Sequence, residues 1–279
     1  MKKTFILGVG AQKAGTTWLH QYLKLSPFFN PGLMKEYHIW DALCIDLCRG
    51  YLIKGNLEPR VENLDLFPLG TAYREEILTL RGHIQSDSIP YEQYFAQLMY
   101  GEFNSTGDIT PAYAGLQAHT YAQIKTRLES AGFKVKVVFL MRDPVERCMS
   151  AIRMQIRKRQ TGEVADLLRV AYRSERMSLR TNYHRTIVEI EKVFDPRDIH
   201  FGIYEEMFSV VNIEKLSQFC GVPTNLAAGS KMVNAGNDRA PIDFELAKEI
   251  SDFYSEVYDF CGNRFPQTKL LWRDRLSLP

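Results

Sequence analysis

Phe5-Ile6-Leu7-Gly8-Val9-Gly10-Ala11-Gln12-Lys13-Ala14-Gly15-Thr16-Thr17-Trp18-Leu19-His20-Gln21-Tyr22-Leu23 lies near the start of the chain. The run from Phe5 to Val9 is apolar and stops at a glycine, the pattern of a short buried strand. From Thr16 onward the apolar residues fall at positions 18, 19, 22 and 23, a helical spacing, with Pro27 just beyond. Between strand and helix lies a loop, Gly10 to Thr17, built on glycine and one lysine. Glycine lets the backbone turn tightly and aim N–H groups inward, and a helix start adds partial positive charge, so such a loop favours an anion. Lys13 adds a full charge, and Thr16 and Thr17 add hydroxyl donors.

In the common nucleoside-triphosphate loop the lysine directly follows the second glycine. Here that position is Thr16, and the lysine stands two residues before Gly15. The loop keeps a phosphate cradle but loses the standard arrangement for a magnesium triphosphate, so a nucleotide monophosphate sulfate fits it better.

Strand, loop and helix recur at Val135-Lys136-Val137-Val138-Phe139-Leu140-Met141-Arg142-Asp143-Pro144, where the proline opens the next helix. That places Arg142 at the carboxyl end of a strand and Ser150 almost two turns into the helix. A guanidinium makes paired, charged hydrogen bonds with phosphate oxygens and a serine hydroxyl supplies another donor, so these two residues form a second anion anchor.

The remaining pattern predicts a helix over 118–131 stopped by Gly132, helices within 163–194, a strand at Ile199–Ile203, a helix near 213–220, and one amphipathic helix over 243–260 ended by Gly262. Residues 41–110 scatter glycine, proline and aromatics without sustained periodicity, which reads as short helices and long loops. Strands alternating with helices predict an α/β, P-loop-like, three-layer fold with a central parallel sheet flanked by helices. We expect one domain over 1–279, with ligands at the carboxyl ends of the strands.

Hydrophobic residues make up 45% of the chain and charged residues 24%, a composition that excludes a largely disordered or collagen-like protein. The net charge of +2 is too small for a nucleic-acid coat or a polybasic membrane anchor, so any anion site is local. Five cysteines without a CxxC pair read as reduced, buried thiols rather than metal ligands. No stretch approaches the roughly 18 apolar residues of a membrane span, and a cytoplasmic protein is expected.

With both anchors in view, the chain resembles the superfamily of sulfotransferases that use 3′-phosphoadenylyl sulfate. The resemblance implies that Gln12, Lys13, Ala14, Gly15, Thr16 and Thr17 hold the donor's 5′-phosphosulfate, and that Arg142 and Ser150 hold its 3′-phosphate. It is nearest to the heparan-sulfate-type and related bacterial branch. Lys35-Glu36-Tyr37-His38-Ile39-Trp40 is similar to that branch's acidic element, and Gly107-Asp108-Ile109-Thr110-Pro111-Ala112-Tyr113 to its Thr-Pro-Ala-Tyr stretch. Asn234-Ala235-Gly236-Asn237-Asp238-Arg239 stands where the branch has a basic donor loop, which makes Arg239 a further candidate for the 3′-phosphate.

The resemblance also implies sulfuryl transfer to a hydroxyl or amine of a small-molecule or carbohydrate acceptor, with 3′-phosphoadenosine 5′-phosphate as product and no metal required. Lys13 then suits the departing oxygen. Glu36 is the preferred base and His38 the alternative, since other branches use histidine. Residues 41–110 become a variable, acceptor-side insert. Asp108, Thr110 and Tyr113 either shape the acceptor pocket or cap and pack a loop. Two rivals from the loop alone are a P-loop kinase-like phosphotransferase and an inactive nucleotide-binding module.

Overall fold

A computed structural model describes residues 3–53, 71–159, 161–230 and 243–272. Five parallel strands form its sheet: β1 (Lys3–Gly10), β2 (Phe29–Asn30), β3 (Ser105–Ile109), β4 (Phe133–Met141) and β5 (Ile199–Ile203), in the order β2-β3-β1-β4-β5. Because β1 has a strand on each side and helices flank the sheet, it reads as a continuous apolar run rather than an alternating one. Phe5, Ile6, Leu7 and Val9 are all fully buried. Each such side chain contributes about 1.5–3 kcal/mol when taken from water.

The helices are α1 (Thr16–Lys24), α2 (Trp40–Cys44), α3 (Thr71–Gln85), α4 (Tyr91–Gln97), α5 (Ala118–Ser130), α6 (Pro144–Arg159), α7 (Val164–Ala171), α8 (Glu175–Ser178), α9 (Tyr183–Glu191), α10 (Val210–Cys220), α11 (Leu226–Gly229), α12 (Phe244–Phe253), α13 (Ser255–Arg264) and α14 (Thr268–Leu271). α1 buries the stripe its sequence forecasts, Trp18, Leu19, Tyr22 and Leu23. Trp18 stacks on Tyr22 and donates to Gly229 O at 3.0 Å, which ties this helix to α11.

Three expectations change. First, β3 lies inside the segment read as helices and loops. Its sequence, Ser-Thr-Gly-Asp-Ile, has one large apolar residue, yet all five positions are buried. Its polar side chains are satisfied locally, with Thr106 Oγ1 donating to Asn30 O at 2.8 Å and Ser105 Oγ to Phe28 O at 3.2 Å. Second, the helix expected over 243–260 is two helices, α12 and α13, broken at Tyr254. That side chain is buried and its hydroxyl donates to Tyr172 O at 2.6 Å, so the chain re-phases there and leaves Phe253 44% exposed. Gly262 sits within α13, against the Lys269 side chain. Third, four cysteines are buried but Cys44 is exposed, and all five are free thiols.

β1 is also where the strand order reverses, since the chain later adds β3 on one side of it and β4 on the other. A crevice opens at such a point, at the carboxyl ends of the strands. Among the described residues no helix is long and apolar enough to cross a membrane.

Candidate active site

The loop after β1 has the backbone of an anion cradle. Gly15 adopts φ +96°, a left-handed conformation that favours glycine, and a Cβ there would press on the flexible end of the Met207 side chain at 2.9 Å. Lys13 also has a positive φ of 73°, a conformation that is uncommon and costly for a side-chain-bearing residue and that gathers at functional sites. Ala14 N bonds back to Ala11 O at 3.1 Å. The amides of Gln12, Lys13, Gly15, Thr16 and Thr17 find no partner among the described residues. Unpaired amides at the start of a helix are donors waiting for an anion.

Arg142 reaches this loop from the end of β4, its guanidinium 3.4 Å from Lys13 O although the two residues are 129 positions apart. It lies over the Tyr204 ring, 4.4 Å from the centroid, and pairs with Glu146 Oε2 at 2.8 Å. Its Nε is buried without a partner. Pro144 opens α6 as expected, and Asp143 caps it by accepting from Glu146 N at 2.9 Å. Glu146, Ser150, Arg153 and Arg157 follow at helical spacing along one side of α6. The Ser150 hydroxyl has no hydrogen-bond partner among the described residues.

Charge completes the description of the loop. Burial brings the Lys13 ammonium down to about 8, and the like charges of Arg157, Arg142 and Lys35 add to the effect, with Glu36 opposing. The charges of three further cations are thus felt at a loop that already offers unpaired amides, two of them, Arg142 and Lys35, being paired with Glu146 and Glu36. A surplus of that kind is stable when an anion neutralises it.

The acidic element sits beside the same loop, since the charges of both Lys35 and Glu36 are felt at Lys13. Glu36 is 30% exposed; Lys35 pairs with its Oε1, and His38 Nε2 lies 3.3 Å from its Oε2. The other ring nitrogen, Nδ1, is 2.7 Å from Asp41 Oδ2, and the ring stacks on Tyr51 at 3.8 Å. His38 is 3% exposed and Asp41 is fully buried. Burial alone raises a carboxyl, but Lys35 and His38 outweigh it and hold Glu36 well below the usual carboxylate range. Burial likewise pulls the His38 imidazole down, and the flanking carboxylates Asp41 and Glu36 reverse that and raise it.

Helix α3 holds this element from outside. Arg81 donates to Glu36 O at 3.0 Å, and Gln85 Nε2 donates to His38 O at 2.7 Å and to Tyr51 O at 3.0 Å. Asp108, Thr110 and Tyr113 are fully buried and hydrogen-bonded to one another, which is the capping and packing alternative rather than an open pocket wall.

Residues 5–225 of the chain match the family model described as the Sulfotransferase family, a span that runs from β1 through the loop, the acidic element and α6. The chain belongs to the sulfotransferase family. Its fold agrees: a sulfotransferase from Alicyclobacillus acidocaldarius superposes with a TM-score of 0.59 at 17% identity, over 94% of this chain and 96% of that one. The sulfotransferase domain of the Synechococcus PCC 7002 olefin synthase gives 0.45 at 17% identity over 90% and 88%, and the sulfotransferase domain from the curacin biosynthetic pathway 0.46 at 18% over 91% and 97%. No curated protein sequence matches it.

In this sulfotransferase Lys13, Arg142 and the acidic element, separate in sequence, come together at the loop after β1. Arg239 and the segment around it lie outside the described residues. Sequence reasoning passed over Asp41, Arg81, Arg157 and Tyr204. Asp41 had a legible signal, since it stands three residues after His38 at the start of a helix; Arg157 had only its place on the α6 stripe.

Proposed function

We propose that this sulfotransferase uses 3′-phosphoadenylyl sulfate as donor and a hydroxyl or amine of a small-molecule or carbohydrate as acceptor, by in-line displacement. The observation behind this reading is the meeting of Lys13, Arg142, Arg157 and Lys35 at a loop with unpartnered amides. Those groups suit the donor: the amides from Gln12 to Thr17 and the two threonine hydroxyls would hold its 5′-phosphosulfate, and Arg142 with Ser150 its 3′-phosphate. Bound there, the donor supplies an activated sulfuryl group on a phosphate leaving group. Lys13 opposes the charge that grows on the departing oxygen. Glu36 takes the acceptor's proton, because it is ionised and partly exposed, whereas His38 is enclosed between Asp41 and Glu36. His38 then orients Glu36. The acceptor would lie on the side where α3 backs the acidic element, through Arg81 and Gln85.

Calorimetry tests the donor. The protein is expected to bind 3′-phosphoadenosine 5′-phosphate more tightly than adenosine 5′-monophosphate, and Arg142→Ala is expected to erase the preference, costing about 1.5–3 kcal/mol for one charged hydrogen-bonded contact. Equal wild-type affinity for the two nucleotides, or tighter binding of ATP with magnesium, contradicts the assignment.

The depressed Lys13 adds a pH signature. The ammonium is charged below about 8. An anion favours the charged form, so affinity for 3′-phosphoadenosine 5′-phosphate is expected to be flat near neutrality and to fall above pH 8, approaching about tenfold per pH unit. Binding near that pH takes up protons, which calorimetry in buffers of different ionisation enthalpy detects. Lys13→Gln should remove both effects; their persistence would assign the titration to another group.

A further inference from the structure

For Glu36 and His38 to act together, the element that bears them has to be held so that both project toward the crevice. Two backbone amides between and beyond them do this holding. Tyr37 N donates to Thr110 Oγ1 at 2.9 Å, and Ile39 N donates to the Tyr113 hydroxyl at 3.4 Å. Each of these hydroxyls passes its own proton to a different oxygen of one carboxylate: Thr110 Oγ1 to Asp108 Oδ1 at 2.6 Å, and Tyr113 to Asp108 Oδ2 at 2.7 Å. The Tyr91 hydroxyl adds a third bond, to Oδ2, at 3.1 Å. Asp108, Thr110, Tyr113 and Tyr37 are fully buried, and Tyr91 and Ile39 nearly so.

We infer that Asp108 is a positioning residue for the sulfotransfer reaction: through Thr110 and Tyr113 it fixes the amides of Tyr37 and Ile39 and thereby sets where Glu36 and His38 project. The inference rests on the proposed roles of those two side chains.

Direction is the reason a carboxylate is needed. A hydroxyl has one proton, and whichever neighbour receives it decides where the oxygen's lone pairs point. An ionised carboxylate can only accept, so it compels both hydroxyls to donate to it and leaves their oxygens to accept from Tyr37 N and Ile39 N. An amide in the same place donates at one end, competes with a backbone N–H for the same hydroxyl oxygen, and breaks one of the two pins.

The other titratable groups facing Asp108 are the Tyr91, Tyr113, Tyr37 and Tyr94 phenols and the Asp41 carboxylate. Burial lifts its carboxyl to about 6, with the three hydroxyl bonds opposing and Asp41 adding a little, so the acceptor-only form prevails at neutral pH. A buried charge without a cationic partner is a poor device for stability, whereas a fully satisfied polar network specifies one geometry.

The test combines three variants with two readouts. Asp108→Asn removes the directing charge; Thr110→Val removes the pin on Tyr37 with its bond to Asp108 Oδ1, and Tyr113→Phe the pin on Ile39 with its bond to Oδ2; the last two remain informative if the first does not fold. Amide hydrogen exchange is followed across residues 36–40, with β1 and α1 as internal references. Affinity for 3′-phosphoadenosine 5′-phosphate is measured alongside, and turnover is read as release of that product from 3′-phosphoadenylyl sulfate with water as acceptor.

In Asp108→Asn, exchange at Tyr37 or Ile39 is expected to quicken about tenfold or more while β1 and α1 are unchanged, as for the loss of a local hydrogen bond. Product affinity stays within about twofold, and kcat falls about tenfold or more at constant donor KM, the mark of a group that acts only on the chemical step. Thr110→Val should loosen Tyr37 alone and Tyr113→Phe Ile39 alone. Unchanged exchange at both amides in a folded Asp108→Asn protein, or a uniform increase that includes β1, overturns the inference. So does faster exchange with unaltered kcat when Glu36→Gln does lower kcat. If Glu36→Gln and His38→Ala both leave kcat intact, the reading of the base has failed, and the positioning role with it.

Discussion

Glu36→Gln is expected to lower turnover by about 10²–10⁴-fold, the range for losing a general base, while leaving donor affinity and fold intact. The carboxylate is 30% exposed beside a loop crowded with cations, and the glutamine variant keeps its size while removing its charge and one of its two acceptor oxygens. Lys35 and His38 keep Glu36 ionised at any working pH, at the expense of basicity. That is tolerable in sulfuryl transfer, because the acceptor oxygen becomes positive as its bond to sulfur forms and its proton becomes strongly acidic. His38→Ala should cost less in the chemical step, since the imidazole is enclosed and reaches the acceptor only through Glu36. It also leaves Asp41 fully buried without its partner at 2.7 Å, so circular dichroism and product affinity must accompany the kinetics. Near-normal turnover in Glu36→Gln together with its loss in a folded, donor-binding His38→Ala protein would move the base to His38.

Lys13→Ala is expected to reduce turnover by about 10²–10³-fold, as for removing one charge-stabilising donor, and to weaken donor binding far less. The asymmetry arises from the crowding at the loop. Arg142, Arg157 and Lys35 remain to attract the anion, and removing Lys13 also relieves their mutual repulsion. What they do not replace is a positive charge on the loop itself, where negative charge builds only as the bond to the leaving oxygen breaks. Single-turnover measurements separate the two effects. A variant with unchanged kcat and only a raised donor KM would show that Lys13 serves ground-state binding alone.

Lys13 is legible in the sequence for a local reason, whereas Glu36 is singled out only by the family resemblance. The loop from Gly10 to Thr17 and the helix from Pro144 are short-range structures, whose glycines, proline and apolar spacing lie within a few residues of the atoms they place. The same holds for β1, β4, α1 and α5, where a buried run or a helical stripe declares itself. β3 does not declare itself. A strand of serine, threonine, glycine and aspartate passes no test of hydrophobic pattern, and it is buried only because Asn30, Phe28, Tyr91 and Tyr113 are brought to it from elsewhere in the chain. The break at Tyr254 is likewise a tertiary decision, taken by a hydroxyl that bonds to Tyr172 O, 82 positions away.

From the sequence alone came β1, the glycine loop, α1, β4 and the start of α6 at Pro144, because each depends on contacts between near neighbours in the chain. The tertiary structure alone decided that Arg142 reaches Lys13 O, that Arg157 adds its charge there, that Asp41 and Glu36 enclose His38, and that Asp108 governs the element bearing them. These are through-space relations of charge and hydrogen-bond direction. They exist only once the sheet has placed the ends of β1, β3 and β4 side by side, because only then do charges far apart in the chain come within reach of one another.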